Sequence, residues 1–166
     1  KYVGYSEGSH NTAEFELNDF LVKGKNEIVV QNHKWTNGTY LEAQDMFRSN
    51  GIFRDVLLYK TGNNSIYDFE AKISFKSLFS LDFLPSLKIS DDCVLSVLLY
   101  DDGEIVSSKS VNVSPSNIEK ISFNNLDVHK WSAECPYLYD LVIILSKGED
   151  VIEVVRKNIG FKTPFL

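Results

Sequence analysis

Apolar and polar side chains alternate with a period of two along much of this chain, which is the pattern of β-strands that bury one face. Residues 67–76 give the clearest example, and the alternation recurs in residues 13–17, 51–59 and 137–145. The predicted buried face of residues 67–76 consists of Tyr67, Phe69, Ala71, Ile73 and Phe75. The opposite face is charged or hydroxylated and is predicted to meet water.

Residues 137–145 are apolar on both faces, which predicts a central strand. The turn-forming residues 101–103 and 147–150 lie between β-rich runs and predict two antiparallel hairpins. Only residues 18–22 and 115–119 indicate helix, each about one turn long. The chain is therefore predicted to be essentially all-β.

A polar Gly/Asn cluster at residues 61–65 predicts a boundary between two domains, residues 1–61 and residues 62–166. The second contains about seven short strands, as expected for an immunoglobulin-like antiparallel β-sandwich. The first contains only about three or four strands, too few to close a sandwich. We expect this first part to need further strands or a partner, with self-association through exposed strand edges as one outcome.

Composition narrows the function classes. The 166 residues are 43% hydrophobic and 24% charged, which is normal for a packed globular protein. A net charge of -6 gives no basic surface for phosphates, so neither nucleic acid nor an anionic membrane surface is an expected partner. No apolar run is long enough to cross a bilayer. The chain begins with Lys1 rather than Met, and we expect it to be part of a longer protein.

The two cysteines, Cys93 and Cys135, fit neither a disulfide scaffold nor the spacing of paired metal ligands. Both are predicted to be buried and to act as small apolar side chains. This use of cysteine favours a cytoplasmic location.

Residues 35–56 read WTNGTYLEAQDMFRSNGIFRDV. This run resembles a signature of the β-galactosidases of glycoside hydrolase family 2, which lies near the end of a jelly-roll sugar-binding domain. Residues 1–9 and 13–15 look like the preceding jelly-roll strands. Residues 130–139 and 158–162 look like motifs of the immunoglobulin-like domain that follows. The resemblance thus implies the end of a jelly roll followed by an immunoglobulin-like domain.

The resemblance also implies a parent enzyme that cleaves terminal β-D-galactosides. In that family both catalytic glutamates belong to an α/β barrel that follows the immunoglobulin-like domain, and the resemblance ends before it. The barrel is the implied partner of this chain, the β-galactoside is bound by the complete enzyme, and Na⁺ and Mg²⁺ are its implied ions. We therefore assign no catalytic residue and no cofactor to this chain alone.

The sequence itself supports that assignment. Retaining glycoside hydrolysis uses two carboxyl groups about 5–5.5 Å apart, and the pKa of the acid is raised by its surroundings. The adjacent acids at 91–92, 101–102 and 149–150 fall in predicted turns, where water is expected to keep their pKa values ordinary. The three histidines lie in unrelated segments without a nucleophile-elbow motif; they are His10, His33 and His129.

Asp45 is the one residue to which the resemblance gives a functional role. It matches an aspartate that in the family reaches the mouth of the barrel, helps to hold Na⁺ and contacts the galactose 6-hydroxyl. A hard cation prefers oxygen ligands, but one carboxylate does not make a cation site. Asp45 is thus predicted to bind metal and substrate only in the complete enzyme.

The sequence departs from the family pattern at Ala43, which replaces an aspartate, and at Phe47, which replaces a tryptophan. These changes remove a carboxylate and an indole donor close to Asp45. Arg48, Arg54 and Asp55 match the family. We expect this charged set to fix loop geometry by bidentate bonding rather than to contact substrate.

Aromatic residues allow two interpretations. Trp35, Tyr40 and Phe53 suit a sugar-stacking platform, but aromatics that alternate along strands are more often core, which is our prediction. Trp131, with Pro136, Tyr137 and Tyr139, is predicted to serve core and interdomain packing.

Other functions remain open from the sequence. A free-standing carbohydrate-binding module or a β-sandwich interaction module needs only the fold and surface aromatics. The related β-glucuronidases and β-mannosidases share the jelly roll and the immunoglobulin-like domain, although residues 40–46 are closer to the β-galactosidase pattern.

Overall fold

The structure is a computed structural model that describes residues 1–8, 10–42 and 50–163. The chain divides into two compact units, Lys1–Leu58 and Tyr59–Leu166.

The second unit contains seven strands in two antiparallel sheets. One sheet has the order β1-β2-β5 and the other has the order β4-β3-β6-β7. The strands are β1 (Ser65–Phe75), β2 (Phe79–Lys88), β3 (Cys93–Asp101), β4 (Glu104–Val113), β5 (Ile121–Leu126), β6 (Tyr139–Lys147) and β7 (Asp150–Ile159). The predicted all-β fold and the two-sheet sandwich are confirmed.

The core lies between the inner faces of the two sheets. Strand β6 lies between β3 and β7, as predicted for a run that is apolar on both faces. Its inward side chains are almost fully removed from water, because alternate residues of a strand point to the same face. They are Tyr139, Leu141, Ile143 and Leu145.

The predicted buried face of β1 is wrong at Phe75, the last residue of the strand, which is 44% exposed, and at Tyr67. The pairing of β1 with β2 shifts register between Ile66 and Asp68, and Tyr67 falls at this irregularity. A bulge reverses the alternation of side chains, so Ile66 is buried while Tyr67 is 59% exposed. Beyond the bulge, Phe69 packs against the core as predicted.

Both predicted hairpins are confirmed. Asp101 pairs with Glu104 across the first turn, and Lys147 pairs with Asp150 across the second. Asp102 and Gly103 both have positive φ, which matches the twist of two-residue hairpin turns. Residues 115 and 116 form a turn closed by a bridge between Ser114 and Asn117, and no helix follows at residues 118 and 119, so the helix predicted at residues 115–119 is wrong.

The first unit has a different local structure. Its described residues form a 3-10 helix, Asn18–Phe20, and a short helix α1, Gly38–Leu41, but no strand. The local predictions of strands at residues 13–17 and 51–59 are therefore wrong, whereas a helical turn near residue 18 is confirmed. Alternation alone does not make a strand, because each backbone N–H and C=O also needs a neighbouring strand to bond.

Candidate functional site

The described part of the signature segment is organised by its small polar residues. Thr36 donates its backbone N–H to the hydroxyl oxygen of Thr39 at 3.1 Å, and this hydroxyl donates to the carbonyl oxygen of Lys34 at 3.2 Å. These bonds fold the chain into the turn that begins α1. The residues around Asp45 follow directly, but Ala43, Asp45, Phe47 and Arg48 lie outside the described residues.

The aromatic residues of this segment are on the surface. Trp35 is 67% exposed, Tyr40 77% and Phe53 65%, so their predicted place in a core is wrong. The Lys34 ammonium lies 5.3 Å from the centre of the Trp35 ring. Exposed aromatic faces are able to stack on apolar faces of a ligand.

Arg54 and Asp55 form no ion pair with each other, and the third member of the predicted charged set, Arg48, lies outside the described residues. The Arg54 guanidinium lies over the Phe53 ring, 5.6 Å from its centre. The ion pairs found among the described residues involve other acids: Glu70, Asp82, Asp91 and Asp140. A cation over an aromatic face is a favourable arrangement of its own.

The Asp91–Asp92 pair does not behave as a catalytic pair. Asp91 accepts a hydrogen bond from the Asn64 side chain at 3.1 Å and pairs with Lys147 at 3.1 Å. The bond from Asn64 and then the one from Lys147 lower the pKa of Asp91, so the expectation of an ordinary pKa is wrong here. A lowered pKa opposes the role of a general acid.

In the Asp101–Asp102 pair, the Asp101 carboxylate is also held by a hydrogen bond. Tyr137 donates its hydroxyl to Asp101 at 2.6 Å. This hydrogen bond, followed by burial, raises the pKa of Tyr137 to about 12. The bond ties the first residue of the turn to the segment that precedes β6, which is a structural use of the carboxylate.

The carboxyl groups of the described residues whose pKa is displaced all move downward. Hydrogen bonds to the ionised form are the leading cause in each case. These residues are Asp82, Asp91, Glu134 and Asp140. Within residues 1–8, 10–42 and 50–163 no group of three or more His, Cys, Asp or Glu side chains is arranged to hold a metal ion.

The cysteines separate into two environments. Cys93 is 4% exposed and burial raises the pKa of its thiol, as expected for a buried apolar side chain. Cys135 is exposed, so its predicted burial is wrong. It follows Glu134 in the segment before β6, where the backbone turns and its amide bonds to the Ser132 hydroxyl.

The predicted core packing of the Trp131 group is confirmed at Tyr139, the first residue of β6. Tyr139 is 2% exposed in the core, and its hydroxyl oxygen accepts the backbone N–H of His129 at 2.8 Å. Trp131 and Tyr137 are half-buried, whereas Pro136 is exposed.

Two hydrogen bonds were not foreseen from the sequence. Asn64 bonds to Asp91 across 27 residues, and Tyr137 bonds to Asp101 across 36 residues, so neither bond has a local sequence signal.

Comparison with protein families gives two matches that follow each other along the chain. Residues 1–62 match "Glycosyl hydrolases family 2, sugar binding domain". Residues 89–162 match "Glycosyl hydrolases family 2". Together these two matches cover most of the sequence. No helix within the described ranges is long and apolar enough to span a membrane.

Curated relatives are β-galactosidases. The chain is 34% identical over 170 residues to the enzyme of Streptococcus thermophilus, an alignment that covers 97% of this chain and 16% of that protein. It is 36% identical over 177 residues to the enzyme of Priestia megaterium, covering 98% of this chain and 17% of that protein. The chain therefore spans about one sixth of the length of these relatives.

Solved structures show the fold. One β-glucuronidase from Ruminococcus gnavus, in complex with D-glucaro-d-lactam, aligns with a TM-score of 0.50 and 19% sequence identity. The alignment covers 59% of this chain and 16% of that protein. At this identity the likeness concerns the fold alone.

Proposed function

Because the chain belongs to glycosyl hydrolase family 2, we propose that it is a non-catalytic part of a β-galactosidase that cleaves terminal β-D-galactosides. One observation carries the proposal: β-galactosidases align with 97–98% of this chain, through both of its family-2 matches. In this proposal each unit is a scaffold for an active site that is formed elsewhere in the enzyme.

The electrostatics of the described residues support a non-catalytic role. A general acid in glycoside hydrolysis needs a raised pKa so that it carries a proton at neutral pH. Asp91 and Asp140 instead have lowered pKa values, caused chiefly by hydrogen bonds from Asn64 and Arg156 respectively. These carboxylates are stabilised as anions and fit structural positions.

Asp45 is the residue through which the chain would contribute to the active site. In this proposal its carboxylate binds Na⁺ together with groups of the barrel and accepts a hydrogen bond from the galactose 6-hydroxyl. A carboxylate suits both contacts, because hard cations and hydroxyl donors are both satisfied by anionic oxygen. The proposal for Asp45 rests on the signature sequence. Mg²⁺ is proposed as a second ion of the complete enzyme.

The cysteines support a reducing compartment. Cys93 and Cys135 are both free thiols, and Cys135 is exposed. Free exposed thiols are typical of proteins that work in the cytoplasm. We therefore propose a cytoplasmic enzyme.

A chimera tests the proposed function directly. Residues 1–166 replace the matching segment of a curated β-galactosidase, and hydrolysis of a chromogenic β-galactoside is measured. We expect the chimera to be active. We expect Asp45→Asn to lower kcat/KM roughly 10- to 100-fold, as for groups that support a metal site, and to raise the Na⁺ concentration that gives half-maximal activity.

Asp19→Asn is the matched control for this experiment. Asp19 is an exposed acid of the same unit, and the change removes the same charge. An Asp45→Asn chimera that keeps the activity and Na⁺ response of the Asp19→Asn chimera would contradict the role of Asp45.

The exposure of Trp35 and Tyr40 favours a second candidate, a sugar-binding module that works by aromatic stacking. Titration of the isolated chain with galactose and lactose, followed by isothermal titration calorimetry, separates the two functions. Saturable binding that Trp35→Ala abolishes supports the module. The absence of binding by the isolated chain agrees with a scaffold that needs the barrel.

A further inference from the structure

Two motifs far apart in the sequence lie side by side in the second unit. They are residues 130–139, before and into β6, and residues 158–162, at the end of β7. Lys130 and Phe161 form a parallel bridge, and the Trp131 N–H donates to the Phe161 carbonyl oxygen at 2.7 Å. The segment before β6 is thus bonded to the backbone that leaves β7.

Gly160 allows the Trp131 side chain to lie against this backbone. A Cβ atom added at Gly160 would lie 2.8 Å from Trp131 Cδ1, 3.0 Å from Cγ and 3.2 Å from Cβ. Contacts this short are not sustained between packed carbon atoms, whose optimal separation is about 3.5–4.0 Å. The position therefore needs glycine because the indole is so close. A side chain there would push the two segments apart.

Phe161 fixes the other side of the contact. It is fully buried and meets the Phe79 and Tyr139 rings edge-on, with ring centres 5.6 and 5.3 Å apart. Tyr139 is itself held by the His129 N–H. The backbone at residues 160–161 is consequently held between the Trp131 indole on one side and the aromatic core on the other.

We propose that Trp131, Gly160 and Phe161 form an exit clamp that sets the direction in which the chain leaves the sandwich toward the catalytic domain. This inference rests on the proposed function, in which a barrel follows the immunoglobulin-like unit. The three are positioning residues that act through the backbone and do not contact substrate. Their effect on rate follows from geometry, because small displacements of groups that orient a substrate are costly to catalysis.

Hydrogen exchange on the full 166-residue chain tests the clamp itself. Gly160→Ala is expected to speed exchange of the Trp131 amide at least about tenfold, because its bond to Phe161 opens. Gly62→Ala is the matched control, since a Cβ there meets only ordinary contacts, the nearest 3.6 Å from the Asn64 carbonyl oxygen. Unchanged exchange of the Trp131 amide in Gly160→Ala would overturn the clamp.

The chimera described above tests the positioning role. Gly160→Ala and Trp131→Ala are expected to lower kcat about tenfold per folded molecule, with KM nearly unchanged. Trp131→Phe, which keeps a ring over Gly160, is expected to retain most of the activity. A purely structural role would reduce the folded fraction but leave kcat per folded molecule unchanged in all three variants.

The outcomes separate this inference from the proposed function. A folded, unmodified chimera without β-galactoside turnover would contradict the proposed function, and the positioning role with it. An active chimera whose Gly160→Ala variant has the kcat of the Gly62→Ala variant would overturn the positioning role alone.

Discussion

Tyr137 shows how a single side chain links distant parts of the second unit. Its hydroxyl donates to Asp101 at 2.6 Å, and its ring lies 4.7 Å from that of His129 and 5.3 Å from that of Tyr139. The hydrogen bond joins the end of β3 to the segment before β6. Since the bond requires the protonated hydroxyl, the contact depends on pH.

The raised pKa of Tyr137 predicts how the stability of the second unit changes at high pH. The pKa of Tyr137 is about 12 in the folded chain, above the ordinary value of 10, because the proton is held by Asp101. Its stabilising contribution is complete below pH 10 and is lost as the pH rises toward 12. We expect the melting temperature to fall less between pH 9 and 11.5 in Tyr137→Phe than in the unmodified chain. An equal fall in both proteins would contradict this.

The two thiols give a second prediction. Cys135 is exposed, whereas Cys93 is 4% exposed with a raised pKa. Because the thiolate is the reactive form, a disulfide reagent is expected to modify Cys135 at least about 100-fold faster than Cys93. The measurement is the absorbance of released thiol, with Cys135→Ser as the control that removes the fast phase. Rapid modification of two thiols in the native chain would exclude the described burial of Cys93.

At the scale of elements, each edge strand of the four-stranded sheet carries a charged residue that bonds to the backbone of the other sheet. Glu153 of the edge strand β7 is paired with the buried Leu145, and its carboxylate accepts the Ile66 N–H of β1 at 2.7 Å. Lys109 of the edge strand β4 is paired with the buried Val97, and its ammonium donates to the Ser122 carbonyl oxygen of β5. Inward-directed charges on edge strands also discourage pairing with another chain.

The third prediction concerns Glu153. Glu153→Ala leaves the buried Ile66 N–H without its acceptor, which is expected to lower the free energy of unfolding by about 1–3 kcal/mol. Glu153→Gln, which keeps an acceptor oxygen, is expected to lose less. Urea unfolding monitored by circular dichroism measures the change.

Glu149→Ala is the control for Glu153, because it removes an equal charge from the exposed turn between β6 and β7. If Glu153→Ala were no less stable than Glu149→Ala, the bond to Ile66 would have no energetic role.

Much of the sandwich was predictable because its strands are long and alternate regularly. Strand β6 was recognisable as central from its two apolar faces, and the Asp-Asp-Gly turn at residues 101–103 signals the hairpin of β3 and β4 locally. The bulge that exposes Tyr67 was not predictable, because it depends on how β1 pairs with β2. The strands expected in the first unit failed for a related reason. Ladder bonding depends on neighbours that a one-dimensional pattern does not contain.

At the scale of the whole molecule, exposed apolar residues are concentrated in the first unit. Tyr2, Val29, Tyr40, Leu41 and Leu58 are each more than 70% exposed. Large exposed apolar areas favour association. We therefore predict concentration-dependent self-association of the isolated chain, measured by light scattering. A chain that stays monomeric across a hundredfold concentration range would contradict this prediction.

The candidate site was predictable only in part. Family membership was readable from residues 35–56, because the run is long and its residues are specific. The role of Asp45 stays a prediction, since the other ligands of the proposed Na⁺ ion would come from another domain. The Asp91–Asn64 and Tyr137–Asp101 contacts had no sequence signal, because folding brings together residues that are distant along the chain.

The central claim is that this chain is a non-catalytic part of a β-galactosidase. The most direct test is to measure β-galactoside turnover by the isolated chain and by the chimera, at equal molar concentration on size-exclusion fractions. A non-catalytic scaffold predicts turnover that elutes with the chimera and none that elutes with the 18.9 kDa chain or its oligomers. Turnover by the isolated chain would show a catalytic carboxylate pair within these 166 residues. That result, or a folded chimera without activity, would contradict the proposed function.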